Sequence, residues 1–163
     1  MGRRKNLRVE EYVPHLQDQE DLDILAKAEA IHLKRLQRLA TITDPTDCAD
    51  FLRARYAHLP HEVFAVVFLD TRHRIIAICD MFRGTTDGSE VHPKEVARAA
   101  LHHSASAVVL CHNHPSGRLE FSSADFAVSV RLKQALALLE VRTLDHILVT
   151  SIGTLSMAQL GRL

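Results

Sequence analysis

The spacing of apolar and polar positions predicts two helices in the first third of the chain. Residues 1–17 are polar and irregular. Apolar residues then recur at steps near 3.6 over residues 18–39, behind an acidic start and ahead of a basic end, which predicts a helix. A second helix is predicted over residues 46–57, between an Asp-Pro break and a Leu-Pro pair. We expect residues 1–42 to form an N-terminal extension and residues 43–163 to form a domain.

Continuous apolar runs predict strands in the rest of the chain. Residues 63–69 are an uninterrupted β-favouring run, typical of a strand buried on both faces. A polar turn separates it from a second strand, 75–82, so the two should form a hairpin. Further strands are predicted at 107–111 and 144–150, helices from Pro93 and over 123–139, and a short strand or tail after Gly153. This order predicts an α/β sandwich with helices around a mixed sheet, antiparallel at the hairpin and parallel elsewhere.

Composition narrows the class of protein. With 163 residues, 47% apolar and 25% charged, the chain can build one core without disulfide or metal cross-links. No stretch is long enough to span a membrane, and no apolar run follows the basic N-terminus, so we expect neither a membrane partner nor a signal peptide and place the protein in the cytoplasm. Cys48, Cys79 and Cys111 are too far apart for a Cys-x-x-Cys pair and are predicted to be reduced, mostly buried thiols.

The charge balance argues against a protein that holds duplex DNA. The formal net charge is zero, whereas phosphate neutralisation usually requires a basic surplus. The local basic cluster at residues 3–8 fits a solvated terminal arm. Nucleic acid stays a possible partner that the charge does not support.

Among the 11 histidines, two stand where a strand ends. Residues two apart in extended chain point to the same side, so His112 and His114 can aim at one point while Asn113 points away. The turn at 115–117 lets the first turn of the next helix return there with Asp125. Two imidazoles and a carboxylate leave a tetrahedral zinc ion one position for water, which is how catalytic zinc is held.

Each part of this arrangement also has an ordinary structural interpretation. A His-x-His pair alone is a weak signal. Ser122 and Asp125 fit a helix capping box, with Ser122 as the N-cap and Asp125 at the third position. The capping role and the ligand role of Asp125 can hold together.

The composite motif resembles the JAMM/MPN metallopeptidase family, whose pattern is His-x-His-Pro, six residues, then Ser-x-x-Asp, with a glutamate upstream. The chain has His-Asn-His-Pro at 112–115 and Ser-Ser-Ala-Asp at 122–125, separated by six residues. Phe-Arg-Gly-Thr at 82–85, His-Pro-Lys-Glu-Val at 92–96 and Leu-Asp-His-Ile at 144–147 resemble its RadC branch. The resemblance covers roughly residues 43–163 and implies a cytidine-deaminase-like α/β sandwich.

The resemblance also implies roles for individual residues. His112, His114 and Asp125 would bind one Zn²⁺. Ser122 would stabilise the oxyanion of a tetrahedral intermediate. Glu62, at the start of the first strand, would be the catalytic glutamate.

Several points stay open at this stage. Glu90, Glu95 and Asp80 compete with Glu62 as the proton acceptor. Asn113 stands where JAMM peptidases usually have Ser or Thr, which bears on isopeptidase activity more than on metal binding. Residues 1–42 contain no Gly-x-Gly hairpin, so we do not expect the DNA-binding role of the helix-hairpin-helix region of longer RadC proteins to apply, and no residue supports the DNA-repair association of the RadC name.

Other histidines and their neighbours are predicted to be supporting residues. His146 and Asp145 are expected either to hydrogen-bond to the metal ligands or to pack in the core. His102 and His103 are expected at a helix C-terminus. Cys111 should be a buried thiol that points opposite to His112.

These residues together predict a zinc-dependent hydrolase of the metallopeptidase type that cleaves an amide bond in a peptide or protein. Two alternatives remain: a metal-dependent enzyme that processes nucleic acid, and a non-catalytic interaction module.

Overall fold

The computed structural model describes residues 23, 24, 27, 45–84 and 91–163. The chain divides into two compact units, residues 1–37 and 38–163. Of the helix predicted over 18–39, the described positions 23, 24 and 27 are helical and exposed, and the rest lies outside the described residues. The basic cluster at 3–8 and Glu90 also lie outside them.

Three helices and five strands make up the described part of the second unit. They are α1 (Pro45–Tyr56), β1 (Val63–Leu69), β2 (Ile75–Arg83), α2 (Pro93–His102), β3 (Ala107–Asn113), α3 (Ser123–Ala137), β4 (Arg142–Val149) and β5 (Thr154–Ser156). The predicted element order for this part of the chain is confirmed. The main difference is that β3 continues two residues past the predicted end, because His112 and Asn113 still pair with neighbouring strands.

The five strands form one mixed sheet in the order β2-β1-β3-β4-β5. The β1–β2 hairpin is antiparallel as predicted. The expectation of parallel pairing elsewhere holds for β3–β4 and is wrong for β1–β3 and β4–β5, which are antiparallel. The crossover through α2 makes β3 run in the same direction as β2. These two strands do not pair, however, because β1 lies between them. The short connection from β4 to β5 permits only a hairpin.

Helices cover both faces of this sheet. On one face α1 packs Leu52 and Tyr56 against Val63, Ala65 and other odd-numbered strand positions. On the other face α2 and α3 pack on the even-numbered positions, in the cluster Phe64, Val66, Phe68, Val96, Ala100, Val108, Leu110, Leu132 and Leu136. All of β1 is therefore buried, as predicted. The side chain two residues after Leu110, that of His112, faces α3.

Two predictions from composition can be compared with this structure. Cys48, Cys79 and Cys111 are free thiols, and Cys48 and Cys111 are buried, as expected. Within the described ranges, no helix has both the length and the apolar character needed to cross a membrane.

Candidate metal centre

The carboxyl end of β3 brings two imidazoles together. His112 is the penultimate residue of β3 and is buried, whereas His114 follows the strand and is partly exposed. Their Nε2 atoms lie 3.2 Å apart. The turn after the strand holds the second ring, because His114 Nδ1 lies 2.9 Å from the carbonyl oxygen of Arg118 and donates to it. Gly117 makes this turn possible with a φ of 76°, in the left-handed region.

Asp125 reaches the same point from the first turn of α3. Its Oδ1 lies 3.3 Å from His112 Nε2, and its Oδ2 lies 3.8 Å from His114 Nε2. The Ser122 N–H and hydroxyl both donate to Oδ2 at 2.7 Å, and Ser122 Oγ accepts from the Asp125 N–H. The predicted capping box is thus confirmed. Because the capping contacts use Oδ2, Oδ1 is left facing His112, and the cap does not prevent a ligand role.

The environment of Asp125 keeps its carboxylate ionised. Burial by itself raises its pKa, but the hydrogen bond and positive charge of a protonated His112, together with the donors of Ser122, outweigh that effect. The net result is a pKa well below the usual value of an aspartate. A carboxylate that is charged over the whole physiological range suits a cation.

Glu62 joins this cluster through the register of the sheet. Phe64 pairs with His112 in the antiparallel β1–β3 ladder, so the position opposite His114 is that of Glu62, on the same face. A carboxylate oxygen of Glu62 and ring nitrogens of His112 and His114 all lie within 4.8 Å of one another. Glu62 is exposed, so its carboxylate is open to water and substrate.

Asn113 and Gly84 hold the backbone on both sides of Glu62. The Val63 N–H donates to Asn113 Oδ1 at 2.7 Å, and Asn113 Nδ2 donates to the His61 carbonyl at 3.1 Å. The Gly84 N–H donates to the Glu62 carbonyl at 2.8 Å, and a Cβ on Gly84 would lie 3.0 Å from Glu62 Cβ. Asn113 does point away from the histidines, as expected, but its contact with β1 was not foreseen.

Two of the distances in this cluster fit a tetrahedral metal ion. Zinc bonds of about 2.0–2.1 Å place neighbouring ligand atoms about 3.3–3.4 Å apart. The separations of 3.2 Å between the two Nε2 atoms and 3.3 Å from His112 Nε2 to Asp125 Oδ1 are close to this value. Glu62 with the same two histidines is the alternative donor set. Asp125 contacts both rings and its orientation is set by Ser122, but its contact to His114 Nε2 is longer, at 3.8 Å, and uses Oδ2.

An open cleft of about 390 Å³ borders the cluster. It is lined by His114, Ser116, Arg118, Glu120, Phe121, Ser122 and Ser123. Side-chain exposure rises from 2% at His112 to 18% at His114, so the cluster is closed towards the core and open towards this cleft. The cleft can therefore admit a substrate beside His114 and Ser122.

The competing proton acceptors are engaged elsewhere. Asp80 lies opposite Ala65, on the α1 face, where it accepts a 2.5 Å hydrogen bond from Tyr56 and lies near Arg55. Glu95 pairs with Arg98 in α2. Among the candidates that the structure describes, Glu62 is the one that reaches the histidine pair.

His146 lies directly behind His112. Its Nε2 is 2.8 Å from His112 Nδ1, and its Nδ1 is 2.5 Å from the hydroxyl oxygen of Ser129. The ring is fully buried, and burial, followed by the charge of His112, lowers its pKa well below the usual value. Ser129 was not singled out from the sequence. The available signal was a serine four residues after Asp125, on the buried face of a helix.

The remaining candidates have structural roles. Asp145 accepts from the Ser156 hydroxyl and the Ala158 N–H, which attaches the C-terminal turn to β4. His103 is the C-cap residue of α2, at the helix end as predicted, and its Nε2 lies 3.5 Å from the Cys79 sulfur. Cys111 is fully buried on the face opposite to His112, as expected.

Comparison with known proteins shows the family to which this domain belongs. The profile of the RadC-like JAB domain matches residues 42–162. Similar relatives, each named UPF0758 protein, come from Nitrosococcus oceani and Azotobacter vinelandii, at 52% and 49% identity over 128 residues. That alignment covers 78% of this chain and 57% of each relative. A relative from Pseudomonas fluorescens is 44% identical over 138 residues, or 85% of this chain and 62% of its own length. The chain thus spans about three fifths of the relatives it matches, and their names state no activity.

Proposed function

Because this chain belongs to the RadC-like JAB domain family, we propose that it is a zinc-dependent hydrolase that cleaves an amide bond in a peptide or protein. The observation that carries the proposal is the convergence of His112, His114 and Asp125, in which His112 Nε2 lies 3.2 Å from His114 Nε2 and 3.3 Å from Asp125 Oδ1, with Glu62 and an open cleft beside them. These residues suit zinc, because imidazole and carboxylate are its ordinary ligands in catalytic sites.

His112, His114 and Asp125 would hold the ion. When bound, zinc lowers the pKa of a coordinated water towards about 7 and polarises a carbonyl group. Three protein ligands would leave one position for water or substrate, and the cleft borders His114.

Glu62 would move the protons. A carboxylate beside the histidine pair can accept a proton from the attacking water and deliver it to the leaving amine. Asn113 and Gly84 restrain the backbone on both sides of Glu62 and thereby limit where its carboxylate can lie.

Ser122 would stabilise the substrate oxygen. Its hydroxyl donates to Asp125 Oδ2 at 2.7 Å, so it must rotate to donate to an oxyanion in the cleft. The Ser122 N–H also donates to Oδ2, and Ser122 Oγ accepts from the Asp125 N–H, so both contacts of the capping box remain when the hydroxyl hydrogen turns away.

The first test is the zinc content of purified protein by mass spectrometry. We expect about one zinc per chain in wild type and in Glu62→Gln, and loss of zinc in His114→Ala and Asp125→Asn. The reverse result for the two carboxylates would make Glu62 the ligand. Absence of zinc from wild type prepared without chelator would overturn the proposal and favour a non-catalytic module.

The second test is hydrolysis. Zinc-loaded wild type should cleave members of a peptide library, and Glu62→Gln, which keeps its metal, should not. Equal cleavage by both proteins would contradict the role of Glu62. Cleavage of nucleic acid in place of peptides would replace the substrate class. Buried free thiols fit a reducing compartment, so the proposal places this activity in the cytoplasm.

A further inference from the structure

The buried pair His146 and Ser129 has no task in the hydrolysis described above. Neither residue lines the cleft. His146 has no exposed surface, and its ring is packed near those of Phe64 and Phe121. A fully buried polar side chain is costly unless it is hydrogen-bonded, and both ring nitrogens of His146 have partners. Those partners define where each proton must lie.

The first proton is fixed by Ser129. Its hydroxyl oxygen lies 2.6 Å from the backbone carbonyl oxygen of Asp125, one helical turn earlier. A carbonyl oxygen can only accept, so the single hydroxyl hydrogen must point to it. Ser129 Oγ therefore turns a lone pair to His146 Nδ1 at 2.5 Å, and Nδ1 must carry a hydrogen.

The second proton follows from the burial of His146. Its ring nitrogens contact a hydroxyl and another imidazole, and a charged ring would be strongly disfavoured in this enclosed position. Neutral His146 with a hydrogen on Nδ1 has none on Nε2. His112 Nδ1, 2.8 Å away, must then donate to it.

The opposite tautomer of His112, which carries its hydrogen on Nε2, is favoured by the nearby carboxylate of Asp125. A hydrogen on His112 Nε2 would face Asp125 Oδ1 at 3.3 Å and would occupy the position of a metal ion. It would also leave His112 Nδ1 and His146 Nε2 as two facing lone pairs at 2.8 Å. The contact with His146 therefore disfavours the Nε2–H tautomer of His112.

We propose that Ser129 and His146 form a hydrogen-bonded relay that sets His112 as the Nδ1–H tautomer and presents its bare Nε2 to the metal. The inference rests on the proposed metal site. His114 is set in the same way by its bond to the Arg118 carbonyl, so two lone pairs converge at 3.2 Å. The relay also begins at the Asp125 backbone, and it thereby joins two ligands, Asp125 and His112, on the buried side. His146 and Ser129 are positioning residues.

The decisive experiment reads the tautomer directly in metal-free protein. Long-range ¹H–¹⁵N correlation spectra at pH 8, where ordinary imidazoles are neutral, distinguish the Nδ1–H from the Nε2–H form. We expect His112 in the Nδ1–H form in wild type. In His146→Leu, which fills the space without an acceptor, we expect the Nε2–H form to appear. An Nε2–H form of His112 in wild type would overturn the inference.

Zinc affinity, measured by competition with a chelator, is the second readout. Loss of such a supporting contact typically costs about 10–100-fold in affinity, which is the drop expected for His146→Leu. In Ser129→Ala we expect a smaller drop. His146→Gln should recover most of the affinity, because its amide oxygen can accept from His112 Nδ1. Equal affinity and an unchanged tautomer in folded His146→Leu would refute the relay.

A matched control separates the relay from general packing. Ser156→Ala removes another buried hydroxyl, which donates to Asp145 and not to the relay. It should lower thermal stability and leave the tautomer and the zinc affinity unchanged. If His146→Leu does not fold, Ser129→Ala and His146→Gln decide the question. The tautomer is measured without metal. A wild-type protein that binds no zinc but shows the Nδ1–H form of His112 would therefore contradict the proposed function and leave the relay standing.

Discussion

Replacing Asn113 by alanine should displace Glu62 from the candidate metal ligands without changing any of those ligands. The Asn113 amide joins β3 to the start of β1, through the Val63 N–H at 2.7 Å and the His61 carbonyl at 3.1 Å. Glu62 lies between those two residues. Its position relative to the histidine pair therefore depends on a side chain that faces away from the metal centre.

The cost of Asn113→Ala can be worked out from these contacts. Val63 is 1% exposed and Asn113 is 1% exposed, so the lost amide leaves a buried N–H without a partner. An unsatisfied buried donor costs roughly 1–3 kcal/mol, and the second hydrogen bond adds about 1 kcal/mol. We expect a loss of about 2–4 kcal/mol in the free energy of unfolding. With a urea slope of about 2 kcal/mol per molar, the middle of the usual range, the midpoint should fall by roughly 1–2 M.

The loss of activity in Asn113→Ala should come from the displacement of Glu62 alone. We expect Asn113→Ala to keep about one zinc per chain, because β3 and α3 still hold the ligands, and to lose hydrolysis of a peptide identified from the library. Asn113→Ser can keep at most part of the bridge, so its loss should be intermediate. In the background of Glu62→Gln, Asn113→Ala should cause little further loss, since both changes act on one function.

Two results would refute this reasoning. A change in unfolding free energy below about 1 kcal/mol would mean that the bridge is not a buried, satisfied contact. Additive losses of activity in the double variant would mean that Asn113 acts through a residue other than Glu62.

Four further predictions concern the same domain. Gly84→Ala places a Cβ 3.0 Å from Glu62 Cβ, so hydrolysis should fall by up to about 100-fold while zinc content, measured in parallel, stays constant. Asp125→Asn should abolish zinc binding, whereas Ser122→Ala should cost about 1 kcal/mol of the cap and retain the metal in the same assay. The pKa of Asp125 is lower in the folded protein than in the unfolded chain, so its carboxylate stabilises the metal-free protein fully above the unfolded pKa of about 3.9. The difference in melting temperature between wild type and Asp125→Asn should shrink as the pH falls below that value. Burial, and secondarily the charge of Asp145, raises the pKa of the Cys48 thiol to about 12, so a disulfide reagent at pH 8 should label this thiol only after unfolding.

Local sequence determined the elements and most of the donor atoms of the candidate site. The alternation and continuity of apolar residues were sufficient for the three helices and the first four strands of the described domain, because burial of one face requires that spacing, whereas β5 was left open as a short strand or tail. The His-x-His pair and the Ser-x-x-Asp start of α3 are also local features. Period-two geometry aims the two rings, and the capping box orients Asp125.

Only the tertiary structure decided which distant residues meet this centre. The antiparallel β1–β3 register places Glu62 opposite His114, and nothing in its own neighbourhood predicts that pairing. The same holds for Asn113 reaching β1 and for His146 reaching His112 across the parallel β3–β4 pair. Strand order and direction depend on how both faces of the sheet are covered, so they are properties of the whole core, whereas spacing along one strand or helix constrains only near neighbours.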